Sequence, residues 1–324
     1  LCTSNPTEIG HNRYAQPVPQ LLNPSAPFAT VSDGYADTLA ADHRGAVLSC
    51  RPVVSQANGV SHVAIVNLPS APTQLALAES AGFARYTGGS VWSWGMRANG
   101  QLGRVATSLM ETPALVNSLP PIATLATGHG HVLALDCGGN VWAWGANAAG
   151  QLGVGDLKER PLPVKVALPG RIKRIAAGDT HSLALDEAGQ LWAWGANNFG
   201  QLGESAAANA AARYAAFPVR IRTEFKVAQL DAGMFYSVAT STHGDVFAWG
   251  WNGLGQLGAD GIAASAKPLR IADLTNVTKI SAGQAHVLAV NDFGVSAWGD
   301  NRSSACGTMP TIAVQHRPAR VAFA

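Results

Sequence analysis

Charged side chains are scarce in this chain. Asp, Glu, Lys and Arg form 13% of its 324 residues, whereas an average soluble protein has about 25%. The formal net charge is only +2, and the densest basic segments, residues 171–174 and 220–222, alternate charged with apolar residues like the solvent face of a strand. A nucleic-acid interface requires Lys and Arg clustered on one face, so we expect no nucleic-acid partner.

Long apolar runs are also missing. No segment approaches the roughly 18 consecutive apolar residues of a membrane-spanning helix, so we expect no membrane insertion. The chain begins at Leu1 rather than Met, which indicates a processed or trimmed product from which any signal peptide is already gone. We therefore expect an extracytoplasmic or secreted protein.

Metal-binding and catalytic motifs are absent as well. The four cysteines, Cys2, Cys50, Cys137 and Cys306, contain no CxxC pair, so a metal cluster is not expected. In an oxidising compartment they could form one or two disulfides, whose pairing the sequence leaves open. There is no GxSxG, HExxH, GxxxxGK(S/T) or EF-hand loop. We therefore expect neither enzyme activity nor a cofactor or bound metal.

The chain does contain one 13-residue segment that is repeated four times with small changes. VWSWGMRANGQLG begins at Val91, VWAWGANAAGQLG at Val141, LWAWGANNFGQLG at Leu191 and VFAWGWNGLGQLG at Val246. A second signature of the form AGxxHxLAL precedes most copies, as in AAGDTHSLALD from Ala176. Such internal repetition indicates a repeat architecture with one shared core.

Weaker copies of the same template extend the register towards both ends of the chain. The Trp-Gly slots fall near residues 9, 50, 94, 144, 194, 249 and 298. Each unit divides into four short segments, such as PVKVAL, RIKRIAAG, HSLALD and QLWAWG from Pro163 onward, with the β-branched content and Gly punctuation of strands. Only the Ala-rich segment Glu204–Phe217 has a propensity for a helical turn or two.

Four strands repeated about every 50 residues predict a β-propeller. We expect a single all-β propeller domain over residues 1–324, built from four-stranded blades. Six whole repeat units and one blade shared by the two termini would make seven blades, which we favour over six. In this interpretation Arg317–Ala324 matches the first strand of a unit, and the residues before Ile9 match the last strand.

The combined pattern, AxGxxHxLAL followed by VWxWGxNxxGQLG, resembles the repeat of the regulator-of-chromosome-condensation family of seven-bladed β-propellers. The resemblance covers residues 30–310 and is strongest from Leu125 to Gly307. We expect a bacterial, secreted member. The plant ultraviolet-B photoreceptor shares this propeller, but its Trp-Arg-His-Thr motif has no counterpart here, which disfavours light sensing.

The residues that repeat are interpreted as structural. The Trp of each unit would bury about 150–250 Å² between blades, the following Gly would permit close backbone packing, and the His would hydrogen-bond a loop. A ring of histidines could instead bind a metal, but Tyr236 interrupts it. The residues assigned to this frame are Trp94, Trp144, Trp194, Trp249, Trp298, Gly95, Gly145, Gly195, Gly250, Gly299, His131, His181 and His286.

Function is expected where equivalent positions differ. Met96, Phe199, Trp251 and Leu254 are large apolar residues in the turn after Trp-Gly, where the template leaves the residue type free. Loops on a rigid scaffold often carry binding, and aromatic residues are favoured anchors of interfaces. We predict that these four residues lie on one rim and bind a partner; the alternative is that each packs against a neighbouring loop.

The sequence therefore predicts a non-enzymatic protein-binding or structural propeller that uses its rim loops as the interaction surface. The protein partner is not identified by the sequence. Two alternatives follow from the resemblance. A bacterial relative inhibits β-lactamases through aromatic loop residues, so this chain could inhibit a secreted enzyme. The founding member is a nucleotide-exchange factor for a small GTPase, but its β-wedge insertion has no counterpart here.

Overall fold

The computed structural model describes residues 28–33, 38–52, 60–203, 213–307 and 312–322. Throughout these ranges the regular structure consists of β-strands, arranged as six antiparallel four-stranded sheets. The strands of each sheet follow one another along the chain, so each sheet is a meander. We call these sheets blades 1 to 6 in chain order.

The strands of all six blades are short. Blades 1 to 3 contain β1 (Phe28–Asp33), β2 (Thr38–Asp42), β3 (Ala46–Pro52), β4 (Val60–Asn67); β5 (Gln74–Leu77), β6 (Ala81–Arg85), β7 (Val91–Met96), β8 (Met110–Leu115); β9 (Ile122–Thr127), β10 (His131–Asp136), β11 (Val141–Gly145) and β12 (Arg160–Lys165). Blades 4 to 6 contain β13 (Ile172–Ala177), β14 (His181–Asp186), β15 (Leu191–Ala196), β16 (Tyr214–Ile221); β17 (Val227–Ala232), β18 (Tyr236–Ser241), β19 (Val246–Trp251), β20 (Ala264–Arg270); β21 (Lys279–Ala282), β22 (His286–Asn291), β23 (Gly294–Asp300) and β24 (Val314–Arg320).

The hydrophobic core lies between blades. The first strand of each blade contacts the first strand of the next, from β1 against β5 through to β17 against β21. Because neighbouring blades cover both faces, strands β10 and β14 are buried at every residue. Aromatic packing also crosses these seams, as where Phe83 of blade 2 meets Trp144 of blade 3 with ring centroids 6.2 Å apart.

The meander topology gives the propeller two different rims. Consecutive strands run in opposite directions, so the loops that join first to second strands and third to fourth strands emerge on the same side. We call this side the upper rim. The turns between second and third strands, and the connections from one blade to the next, form the lower rim. The turn after Trp-Gly, which carries the predicted binding residues, therefore lies on the upper rim.

The expectation of seven blades is wrong for the residues that the structure describes, which form six. The first half of the segment PVKVAL, which we expected to open a unit, instead ends the outer strand β12 of blade 3, which pairs with the Trp-bearing strand β11. Likewise β24 completes blade 6 by pairing with β23 and starts no further blade. The reason is that each outer strand pairs with the strand immediately before it in the chain. The predicted contribution of residues 1–10 lies outside the described residues.

The structure also bears in part on the expectations for the Ala-rich segment and for the cysteines. The Ala-rich segment forms a strand from Tyr214 onward, and residues 204–212 lie outside the described residues. Cys137 is an exposed free thiol and Cys306 a buried one, so neither is in a disulfide; Cys2 and the side chain of Cys50 are not described. No helix in the described ranges is long and apolar enough to cross a membrane.

Candidate protein-binding site

A tryptophan in each of blades 3 to 6 links its blade to the preceding one. The four indole rings are fully buried, and each Nε1 donates a hydrogen bond of 2.7 to 3.0 Å to the backbone carbonyl of a Gln in the preceding blade's upper-rim turn. Trp94 of blade 2 is 6% exposed. The donors are Trp144, Trp194, Trp249 and Trp298, and the acceptors are Gln101, Gln151, Gln201 and Gln256.

Two buried histidines join the same network. Ser182 Oγ donates to the Gln151 carbonyl oxygen over 2.8 Å and lies 2.9 Å from His131 Nε2. Because the hydroxyl hydrogen is directed at the carbonyl, the Nε2–H of His131 is the donor to Ser182. His181 bonds Ser237 in the same way over 3.0 Å. Burial lowers the pKa of both imidazoles to about 3, so both are neutral near pH 7.

Blade 5 carries Tyr236 in the histidine slot. The hydroxyl of Tyr236 donates to the carbonyl oxygens of Gly283 and His286 in blade 6, over 2.9 and 2.7 Å. His286 itself occupies the slot in blade 6 and is half-buried. Among the described residues no group of three or more His, Cys, Asp or Glu side chains could hold a metal ion.

The glycine after each tryptophan has a backbone conformation that L side chains rarely adopt. Its φ lies between +98° and +107° in five blades. A Cβ at this position would collide with the carbonyl oxygen of the neighbouring upper-rim loop, as at Gly195 against Thr180. Glycine therefore lets two loops of one blade touch. The five residues are Gly95, Gly145, Gly195, Gly250 and Gly299.

The turns that follow are fixed by their own side chains. Gln201 Oε1 accepts a hydrogen bond from the backbone N–H of Phe199, and Gln256 Oε1 accepts one from Leu254, each over 2.9 Å. The repeated Gln thus holds the backbone of the variable residue two positions before it. The turn presents different side chains on a constant frame.

Three aromatic residues of the upper rim form one cluster across the seam of blades 4 and 5. Phe199 lies 5.3 Å from Phe235 and 5.9 Å from Trp251, measured between ring centroids, and Phe235 lies 6.1 Å from Trp251. All three are half-buried. We call Phe199, Phe235 and Trp251 the aromatic cluster.

The structure brings together two of the four residues predicted to bind. Phe199 and Trp251 are in contact, and Leu254 is half-buried in the same turn as Trp251. Met96 is 37% exposed and lies in blade 2, where it pairs across the strands with Met110. It therefore belongs to a different part of the upper rim.

Phe235 was missed by sequence reasoning. It lies in the loop between the first and second strands of blade 5. This loop belongs to the repeated AGxxHxLAL signature, whose residues are interpreted from the sequence as structural. The signal was present in the sequence, since the equivalent positions are Gly130, Thr180 and Ala285. A large aromatic residue where the repeat has small ones marks a departure from the frame.

The centre of the upper rim carries a small group of ionisable residues from blades 2 to 4. His129 Nε2 lies 3.2 Å from Glu79 Oε2. The backbone N–H of His129 donates to the backbone carbonyl oxygen of Asp179 over 3.3 Å. Burial raises the pKa of the Asp179 carboxyl to about 6, a shift that His129 opposes and Glu79 reinforces. This centre adjoins the aromatic cluster, because a Cβ on Gly178 would collide with the carbonyl oxygen of Gly233, two residues before Phe235.

Comparison with known families identifies the repeat. The model of the RCC1-like domain matches residues 3–324. Among solved structures, human WBSCR16 superposes with a TM-score of 0.82 at 23% identity, covering 95% of this chain and 85% of that one. Yeast RCC1 (Prp20), solved bound to Kap60, superposes with a TM-score of 0.76 at 25% identity, covering 90% and 74%.

Curated relatives match over shorter stretches. Human HERC6, described as a probable E3 ubiquitin-protein ligase, is 40% identical over 104 residues, which is 30% of this chain and 10% of that protein. The ultraviolet-B receptor UVR8 of Arabidopsis thaliana is 31% identical over 84 residues, or 25% of this chain and 19% of that one. The chain thus matches less than a fifth of each relative's length.

These relatives leave two expectations without support. They are human, plant and yeast proteins, which gives no support to a bacterial, secreted member. Yeast Prp20p is described as binding Gsp1p and histones, so the comparisons do not support the exclusion of nucleic acid either. They do establish the ancestry of the repeat, since one family model covers almost the whole chain. The chain belongs to the RCC1-like domain family.

Proposed function

We propose that this chain is a non-enzymatic protein-binding propeller whose main interaction surface is the upper rim at blades 4 and 5. The observation that carries the proposal is the aromatic cluster of Phe199, Phe235 and Trp251. Aromatic residues are enriched at the centres of protein interfaces, where they contribute much of the binding energy. One family member, yeast RCC1 (Prp20), supports the class of function, since it is solved bound to Kap60 and is described as binding Gsp1p and histones.

The geometry supports a preorganised surface. Gln201 and Gln256 hold the backbone of the turns. Trp249 and Trp298, which donate to the backbone carbonyls of these two glutamines, are fully buried. A partner therefore meets a rim whose shape needs little ordering on binding, which lowers the entropic cost of association.

The test is a quantitative affinity capture from the native source, comparing the parent chain with a Phe199→Ala/Trp251→Ala variant. We expect partners captured by the parent to be lost from the variant. Phe293→Ala is the matched control, because Phe293 is an aromatic residue 64% exposed on the lower rim. Equal capture by the parent and the double variant, with both proteins folded, would place the interface elsewhere.

Nucleotide exchange on a small GTPase is a second candidate, favoured by the 90% coverage of this chain in the superposition on yeast RCC1 (Prp20). It is tested by release of a fluorescent GDP analogue from yeast Gsp1p. We expect no acceleration, since a β-wedge insertion is absent from the sequence, and acceleration would replace our proposal. Inhibition of a secreted enzyme has no observation in its favour beyond the aromatic rim.

A further inference from the structure

A second apolar surface lies on blade 2, away from the aromatic cluster. Four large side chains are exposed around the upper-rim loop between β7 and β8: Met96 at 37%, Val105 at 78%, Leu109 at 70% and Met110 at 62%. We call these four residues the apolar patch. Met96 and Met110 are cross-strand partners, and the backbone N–H of Arg97 donates to the Leu109 carbonyl oxygen, so these exposed side chains come from adjoining backbone. Single exposed apolar side chains are ordinary on protein surfaces, whereas a group of them marks an interaction site.

A partly buried ion pair holds this loop in place. The Arg104 side chain donates from Nη1 to Glu111 Oε2 over 3.0 Å, from Nε to Ser93 Oγ over 3.1 Å, and from Nη2 to the Thr112 carbonyl oxygen over 2.8 Å. Arg104 and Glu111 are only 12% and 13% exposed. Their charges compensate each other beneath the loop, so the pair serves the loop's conformation.

Glu111 also fixes the loop directly. Its Oε1 atom accepts hydrogen bonds from the backbone N–H groups of Thr107 and Ser108, both over 2.7 Å. These bonds, first that from Ser108, hold the pKa of the Glu111 carboxyl below its usual value. The loop is therefore anchored by polar contacts on its inner side while its apolar side chains face outward.

The corresponding loop of blade 3 is held in a different way. There the position of Arg104 is occupied by Val154, which packs against the hydrophobic core. The blade 3 loop exposes Leu157 at 41% and is held by the ion pair of Arg160 and Asp156, over 2.6 Å. A partly buried arginine in blade 2 therefore stands where blade 3 has a half-buried valine, and the blade 2 loop exposes more large apolar side chains.

The apolar patch has one uncompensated charge. Arg97 follows Met96 and is exposed; its Nη1 donates to the Ala106 carbonyl oxygen over 3.1 Å. None of the ion pairs among the described residues includes Arg97. The apolar patch therefore has at its margin the guanidinium of Arg97, which has no ion-pair partner in the part of the chain that the structure describes.

We propose that the apolar patch and Arg97 bind an amphipathic helix of a protein partner, with the apolar face of the helix on the patch and a carboxylate of the helix on Arg97. Flexible methionine side chains adapt to such a face, and helices insert apolar residues spaced three or four apart into surfaces of this kind. The free guanidinium selects for an acidic residue beside those anchors. This site adds to the proposed function and does not depend on the aromatic cluster.

The experiment is a selection of random 16-residue peptides displayed on phage against the full chain, with removal of phage that bind a Val105→Ser/Leu109→Ser/Met110→Ser variant. We expect the recovered peptides to carry apolar residues at helical spacing and at least one Asp or Glu. Synthetic peptides should bind the triple variant about tenfold or more weakly than the parent. Phe293→Ser, an exposed apolar change on the lower rim, should leave their affinity unchanged.

A charge exchange tests the role of Arg97 separately from folding. Arg97→Glu should weaken the selected acidic peptide about tenfold, and changing the acidic residue of the peptide to Lys should restore binding to that variant. Peptides without acidic residues, or peptides insensitive to both sets of variants, would overturn the proposal. Sedimentation that shows dimers of the parent but monomers of the triple variant would make a second copy the occupant and would equally overturn it.

Failure of this proposed peptide site can be distinguished from failure of the proposed interface at blades 4 and 5. Phe199→Ala/Trp251→Ala should retain the selected peptides, because the aromatic cluster lies in blades 4 and 5. Loss of the peptides from that double variant alone would refute a separate site in blade 2, while it would leave the rim at blades 4 and 5 as the interaction surface.

Discussion

Trp194 of blade 4 donates its indole N–H to the backbone carbonyl of Gln151 in blade 3 over 2.8 Å. The same carbonyl also accepts the hydroxyl of Ser182, so one oxygen of blade 3 receives two bonds from blade 4. The turn that presents variable residues on the upper rim is thus tied to the core of the next blade. Stability and the shape of the binding rim depend on the same contacts.

Replacement of Trp194 should separate packing from hydrogen bonding. Trp194→Ala should lower the free energy of unfolding by about 3–5 kcal/mol, as for large aromatic residues in a packed interior. Trp194→Phe should cost less, because it keeps most of the apolar contact and Ser182 still satisfies the carbonyl. Urea unfolding measures both changes. A Trp194→Ala protein as stable as the parent would contradict a structural role for this residue.

Gly195 should tolerate alanine less well than Gly189. Both have positive φ, +98° and +82°, but a Cβ on Gly195 would lie 2.5 Å from the Thr180 carbonyl oxygen and 2.7 Å from His181 Cα, whereas Gly189 has open space. Gly189→Ala should therefore cost only the backbone strain, about 1–2 kcal/mol, and Gly195→Ala clearly more. Thermal unfolding of the two variants compares them. Equal losses would show that the close approach carries no cost.

The buried histidines should make the protein sensitive to acid. Burial lowers the pKa of His131 and His181 from 6.5 to about 3, so the unfolded state binds more protons between these values. Their contribution to stability is present above pH 6.5 and is lost as the pH falls towards 3. Urea midpoints at pH 7.5, 6 and 5 should decrease in that order. His181→Gln, which does not titrate, should lose less stability over this range; an unchanged dependence would exclude His181 as its source.

Asp231 should have the opposite dependence on pH. Its carboxyl lies at the seam of blades 5 and 6 and accepts the N–H groups of Ala232 and Ala282. Burial raises its pKa from 3.8 to about 6, so its favourable contribution is complete below pH 3.8 and is lost as the pH rises through 6. Asp231→Ala reproduces Ala176, the residue at this position in blade 4.

The comparison of Asp231→Ala with its parent isolates this group. The free energy of unfolding of the variant, minus that of the parent, should rise by about 2–3 kcal/mol between pH 4 and pH 7, at about 1.4 kcal/mol per pKa unit. Parallel stability curves for the two proteins would show that the Asp231 carboxyl does not titrate on unfolding in this range.

Much of the fold could be predicted because the repeated residues serve local needs. Every blade must form the same turn and bury the same contact with its neighbour. The residue types of Trp194, Gly195 and Gln201 therefore recur at regular spacing. Four near-identical copies of that solution predict strands, an all-β propeller and the family, and the structure and the family model confirm these. The structure also places Phe199, Trp251 and the other variable turn residues on the upper rim.

The grouping of strands into blades was not predictable from the repeat alone. A cyclic pattern reads equally well from any of its four strands, and only hydrogen bonding shows that β24 pairs with β23 and closes blade 6. The expectation that Arg317–Ala324 opens a further blade arose from choosing the wrong starting strand, whereas the slot near residue 9, which also supported a seventh blade, lies outside the described residues. The choice depends on the pairing of segments separated by a turn, which composition and periodicity do not specify.

The candidate sites depended on tertiary structure in the same way. The sequence marks Met96, Phe199 and Trp251 alike as departures from the repeat. Packing between blades then joins Phe199 and Trp251 to Phe235 in one cluster and leaves Met96 with a different set of neighbours in blade 2. The sequence by itself determines which positions can vary, because each blade must form the same local hydrogen bonds. Only the tertiary structure determines which variable positions are in contact, because those contacts join blades that are about 50 residues apart in the chain.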